Sequence, residues 1–134
     1  KERDLITPKG SFKIKYILYR KDRIKQIQSK IKKIIIKKNM GWCDDPLSKD
    51  YNKLIKIPSE YNYEKLYKKD NVYDIILVLN YNMNPVVKNK GSAIFIHVTK
   101  RNYKKTEGCV AIKKTDMLVL LKLVNNKTKI NIQL

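Results

Sequence analysis

The sequence predicts a mainly β domain with one or two helices. Three observations carry that expectation. Phe12, Ile14, Tyr16 and Leu18 alternate with lysines, as in a half-buried strand. Val72–Asn80 is a short, β-branched, nearly continuous apolar run bounded by turn formers, as in a buried central strand. Only one stretch, Met117, Leu118, Leu120, Leu121 and Val124, repeats with a clear helical period.

In chain order, Thr7-Pro8-Lys9-Gly10 is turn chemistry, with proline fixing φ and glycine admitting positive φ. The alternating strand follows. Residues 21–38 are ambiguous: Ile24, Ile27, Ile31, Ile34 and Ile35 suit a helical face, yet Ile34–Ile36 is β-branched, and we favour a strand near Ile34–Lys38. Asn39–Asn52 is rich in turn formers and reads as a long irregular loop, in which Trp42 and Tyr51 either anchor the loop on the core or contribute to a site. Residues 53–71 are polar and tyrosine-rich, suggesting a short helical turn near Leu66 and then a loop. Tyr81–Lys90 is expected to be a further loop, with Asn84-Pro85 initiating a turn. Ser92–Val98 and Cys109–Ile112 read as two strands of a hairpin, which would bring His97 next to Cys109. Thr115 is expected to cap the helix, with Asp116 at the positive end of its dipole. Lys129–Gln133 alternates as a terminal strand.

The 134 residues are expected to form a single domain, 1–134, large enough to bury roughly two-thirds of the unfolded surface. The first residue is Lys1, and further sequence is expected upstream. No apolar run approaches the roughly 18 residues that span a bilayer, so no transmembrane segment is expected. A net charge of +19 suggests an anionic partner. Nearly all of it is lysine, however, with arginine only at 3, 20, 23 and 101. Because arginine supplies most bidentate contacts to phosphate and guanine, specific nucleic-acid recognition is not expected. One histidine and two cysteines, Cys43, His97 and Cys109, do not make a four-ligand set, so no metal is expected.

His97 is the only histidine, and it stands twelve positions from Cys109. A thiol beside an imidazole is the minimum machinery for a cysteine nucleophile. Thr7-Pro8-Lys9-Gly10-Ser11-Phe12, Gly41-Trp42-Cys43-Asp44-Asp45-Pro46 with Tyr51-Asn52, Tyr81-Asn82, Gly91-Ser92-Ala93-Ile94-Phe95-Ile96-His97 and Thr106-Glu107-Gly108-Cys109-Val110 follow one another in an order that resembles the L,D-transpeptidase (YkuD-like) catalytic family. The chain differs from many members at three places: Glu107 stands where a second histidine is common, Val110 and Ala111 follow the cysteine in place of Asn or Arg, and the loop between His97 and Cys109 is short. These differences bear on substrate and acceptor choice.

The resemblance implies a β-sandwich or barrel-like catalytic fold, a location in the periplasm or cell envelope, and peptidoglycan stem peptides as partners. It implies Cys109 as nucleophile, with His97 either forming an ion pair with its thiolate or taking the thiol proton and then protonating the leaving amine, and no cofactor. The amides of Gly108 and Cys109 are the expected oxyanion donors, and Thr106, Ser92, Tyr81, Asn82 and Trp42 the expected substrate-binding residues. A backbone carbonyl is expected to hold the second imidazole nitrogen, since no carboxylate has an obvious claim. The implied reaction is attack on the amide between stem residues 3 and 4, followed by transfer to an amine in a 3→3 cross-link. Transfer to water would make the protein an L,D-carboxypeptidase. From a different class, the charge alone would fit a non-catalytic basic module that binds an anionic wall polymer or nucleic acid.

Overall fold

The structure, a computed structural model, describes residues 10–81, 94–98 and 110–132. Within them the chain forms nine strands and one helix. The strands are β1 (Gly10–Tyr19), β2 (Lys33–Ile35), β3 (Met40–Cys43), β4 (Lys53–Lys56), β5 (Tyr63–Lys65), β6 (Ile75–Leu79), β7 (Phe95–Val98), β8 (Val110–Ile112) and β9 (Lys129–Ile132), and the helix α1 (Lys114–Leu123) lies between the last two. Six strands make one sheet in the order β2-β1-β6-β7-β8, with β9 pairing along the first half of β1. Three make a second, in the order β4-β3-β5. The expected mainly β class is therefore what the chain adopts.

The large sheet is organised on β6. Its Ile75, Ile76, Leu77, Val78 and Leu79 are all fully buried, which is why the sequence there is continuously apolar. Each such side chain contributes about 1.5–3 kcal/mol relative to exposure. Ile75, Leu77 and Leu79 join Ile96, Val98 and the α1 residues Met117 and Leu121 on one face. Ile76 and Val78 join Phe95, Leu66 and Trp42 on the other, where the small sheet covers them.

β1 departs from simple alternation. Its pairing with β6 shifts register between Ile14 and Tyr16. Phe12 and Ile14 therefore pack on the α1 side together with Ile17 and Tyr19, while Tyr16 and Leu18 pack on the small-sheet side. An extra residue in one strand inverts the parity of everything beyond it, which a strict period-two reading cannot register. Gly10, with φ of 144°, has the positive φ expected of the opening turn.

Six further expectations are corrected or refined. Ser92–Val98 and Cys109–Ile112 do not form a hairpin: β7 and β8 pair in parallel, with Ile96 opposite Val110, His97 opposite Ala111 and Val98 opposite Ile112. The eleven residues of 99–109 are far more than a two-residue hairpin turn, and a parallel pair requires such a crossover. The predicted irregular loop at 39–52 contains strand β3, and 53–71 contains β4 and β5 instead of a helical turn. The sequence obscured these strands because they are only three or four residues long and mix polar with apolar residues. Ile24, Ile27 and Ile31 are buried against the α1 side from a non-helical segment, so their i, i+3, i+7 spacing reports burial without a helix. β2 begins at Lys33, one residue earlier than the strand expected from Ile34, and pairs in parallel with β1. Finally, α1 starts after Lys113, which makes no side-chain cap, so Thr115 lies inside the first turn. Asp116 does occupy that turn, as expected from the dipole.

Gly41 shows why β3 can be the middle strand. A Cβ there would meet the Ile57 methyl at 2.7 Å, the Glu64 carbonyl oxygen at 3.2 Å and the Tyr63 ring at 3.3 Å. Only a glycine lets both neighbouring segments close on this strand.

Candidate active site

His97 lies on β7, in the centre of the sheet edge formed by β6, β7 and β8. Its neighbour two residues back, Phe95, faces the small sheet, and His97 shares that face. The ring is 6% exposed. Tyr73 packs edge-on against it, with ring centroids 5.6 Å apart and planes at 79°. Tyr73 also meets Phe95 edge-on at 5.9 Å, and Phe95 meets Trp42 at 5.3 Å. A run of perpendicular aromatic pairs thus backs the histidine.

The His97 Nδ1 is 3.0 Å from the Val98 carbonyl oxygen. A carbonyl can only accept, so Nδ1 carries the proton and donates. The carbonyl expected to hold the ring is thereby that of Val98. In the neutral ring this leaves Nε2 with a lone pair. Burial pushes the His97 pKa below 6.5, opposed in part by the Val98 hydrogen bond; Lys68 lowers it further and Asp70 raises it. The imidazole is therefore held in the neutral, proton-accepting form at neutral pH.

Tyr73 is itself fixed. Its hydroxyl donates to Glu64 on β5, and the Lys68 ammonium lies 4.7 Å from its ring centroid and 3.9 Å from Glu64. The loop before β6 is clamped by two arginines. Arg20 donates to both oxygens of Asp22 at 2.8 Å and to the Lys68 carbonyl at 2.7 Å, with its plane 3.5 Å above the Tyr67 ring. Arg23 donates to the carbonyls of Lys69 and Asp70 at 2.8 and 2.6 Å and to buried Asp74 at 2.8 Å. The Val98 amide donates to the Val72 carbonyl at 3.2 Å, which ties this loop to the histidine strand.

Trp42 is 2% exposed, and its indole N–H donates to Asn52 Oδ1 at 3.2 Å. In the structure it is a packing residue behind Phe95, the anchoring alternative of its two sequence readings. Asn52 has φ of 61° and makes two further bonds: its amide N–H donates to the Cys43 carbonyl at 2.8 Å and its side-chain NH2 donates to the Tyr81 carbonyl at 3.1 Å. It joins the small sheet to the end of β6. Tyr81 is partly buried on the α1 side, edge-on to Phe12 at 5.9 Å. Asn82, Ser92, Thr106, Gly108 and Cys109 lie outside the described residues.

Sequence reasoning missed the supporting set of Tyr73, Glu64, Asn52, Arg20 and Arg23. One signal was available. Asp74 is a charge inside an apolar run, and a buried carboxylate needs a cationic partner. Among the described residues no group of His, Cys, Asp and Glu could hold a metal ion, and no helix is long and apolar enough to cross a membrane.

The described residues thus place a buried histidine, its Nδ1 tied to a backbone carbonyl, on an inner strand of a two-sheet β fold. The profile of the L,D-transpeptidase catalytic domain, YkuD, matches residues 1–132, and the chain belongs to that family. The family consists of enzymes that act on peptidoglycan and is typically associated with the cell wall. Neither the curated proteins nor the solved structures include a significant match to the chain.

Proposed function

We propose that this domain, spanning residues 1–134, is a cysteine-dependent peptidoglycan L,D-transpeptidase of the cell envelope. The observation that carries this reading is the placement of His97: buried on an inner strand, with Nδ1 donating to the Val98 carbonyl, which leaves Nε2 as the ring's accepting nitrogen. The parallel register supports the choice of nucleophile. Val110 pairs with Ile96, and Cys109 is its covalent neighbour, two residues before the partner of His97.

In the proposed cycle, His97 Nε2 takes the Cys109 thiol proton as the sulfur attacks the carbonyl carbon between stem residues 3 and 4. The amides of Gly108 and Cys109 receive the oxyanion, and Thr106, Ser92 and Asn82 hold the stem; the Tyr81 ring packs on Phe12 on the α1 side, away from the histidine face, and takes no part. The C–N bond then breaks, His97 returns the proton to the departing D-Ala amine, and a thioester remains. An amine of a second stem attacks the thioester carbonyl, losing a proton through His97, and the thiol is restored with a 3→3 amide formed. No cofactor enters this cycle. Trp42 contributes from behind by holding Phe95 and the small sheet in place.

The test is the intact mass of the protein after exposure to a stem tetrapeptide or a carbapenem. Wild type should gain one acyl group and Cys109→Ala none; an adduct of wild-type yield on Cys109→Ala would refute the reading. Product analysis with muropeptides then separates transfer from hydrolysis: 3→3 dimers mark the transpeptidase, and shortened stems without dimers mark the carboxypeptidase.

A further inference from the structure

A cleft of about 620 Å³ opens where the Arg20–Arg23 segment, the turn after β2, the end of β4, β5 and the 67–69 loop meet. Six of its eleven lining residues are cationic: Arg20, Arg23, Lys38, Lys65, Lys68 and Lys69. In the whole chain the proportion is 31 of 134, so the lysine-rich composition does not by itself produce this wall. No carboxylate lines the cleft among the described residues.

Five of the six cations divide into two kinds; the sixth, Lys68, is paired with Glu64 at 3.9 Å and lies over the Tyr73 ring. Both guanidinium groups are consumed within the fold, Arg20 by Asp22 and the Lys68 carbonyl, and Arg23 by Asp74 and two backbone carbonyls. They shape the cleft. Lys38, Lys65 and Lys69 are exposed, and none of their ammonium groups makes an ion pair or hydrogen bond among the described residues. They are point charges on flexible stems, suited to a chain of anions more than to one planar group. The face of Tyr67 that a base would need is covered by Arg20, so one stacking platform of a nucleic-acid groove is already occupied.

We propose that this cleft binds a flexible phosphate-bearing polymer without bases, such as a polyol-phosphate chain, by charge density. One wall, Lys68, leans on Tyr73, which packs on His97. A polymer held there lies beside the histidine site without taking part in its chemistry.

The experiment uses the whole chain and a short fluorescent poly(glycerol phosphate), with single-stranded DNA of equal phosphate number as comparison. Binding is read by anisotropy between 50 and 200 mM salt. The triple variant Lys38→Gln, Lys65→Gln, Lys69→Gln should bind the polyol phosphate at least tenfold more weakly than wild type, with a salt slope smaller by about 2–3. A control triple on exposed positions outside the cleft, Lys25→Gln, Lys122→Gln, Lys127→Gln, should retain wild-type affinity. Equal weakening by both triples would show that only bulk charge matters and would overturn the proposal. Tighter binding of DNA than of polyol phosphate, or no polyol-phosphate binding at the lowest salt, would overturn it as well. Acylation by the cleft triple should match wild type, and Cys109→Ala should still bind the polymer. Wild-type protein that is acylated but does not bind the polymer therefore sinks this proposal alone, and wild-type protein that binds the polymer but is not acylated sinks only the acyl-transfer reading.

Discussion

The two faces of the large sheet are built differently. One is covered by α1 and the Ile24–Ile31 segment, and its core is aliphatic apart from the partly buried rings of Phe12, Tyr19 and Tyr81 at its margin. The other is covered by the small sheet, and its core mixes Trp42, Tyr73 and Phe95 with His97, Glu64, Asn52 and, in the adjoining loop, two arginines. The first face can be filled by any apolar set of suitable volume and period. The second holds polar groups that each need a named partner, because a buried polar group left unmade is costly. The histidine sits on the second face, where geometry is specified by hydrogen bonds as well as by packing.

Substitutions on the two faces should separate these roles. The largest stability effects are expected at Trp42 and Leu121. Trp42→Ala should cost about 3–5 kcal/mol and Leu121→Ala about 2–5 kcal/mol in denaturant unfolding. Only Trp42→Ala should also move the NMR signals of the His97 ring, since Trp42 begins the run of edge-on rings that passes through Phe95 and Tyr73 to His97. Equal disturbance of His97 by both variants would erase the distinction between the faces.

Next in size is Arg23→Met, which strands the buried Asp74 carboxylate. A loss of about 2–3 kcal/mol is expected, below the figure for a fully buried pair because Arg23 is partly exposed. Unchanged stability in urea would mean that Asp74 finds another partner. The smallest effect concerns Asn52. Asn52→Gly and Asn52→Ala both delete the side-chain bonds to Trp42 and Tyr81, but only alanine must also occupy φ of 61°. Alanine should therefore be the less stable by about 1 kcal/mol in a thermal or urea comparison.

The same contrast explains what could be read from the sequence. Strand β6, helix α1 and the terminal strand are legible because apolar burial imposes a period or a continuous run. The order of motifs from Thr7 to Val110 pointed to the family that the profile match shows. The parallel pairing of β7 with β8 was not legible, because two short apolar runs look alike whichever way they run. The strands of the small sheet were hidden by their length and by their mixture of polar and apolar residues. The partners of His97 were hidden for a third reason: Tyr73, Glu64 and Asn52 come from distant segments, and their roles exist only once those segments meet.

The account rests on His97 acting as a neutral base, and single-turnover acylation followed against pH tests that directly. Burial lowers the His97 pKa, so the proton-accepting form persists below pH 6.5 and the acid limb of the rate should fall on the low side of that value. His97→Gln should slow acylation of Cys109 by about 10²–10⁴-fold and remove that limb. A His97→Gln protein that acylates at the wild-type rate with the wild-type pH profile would contradict the account.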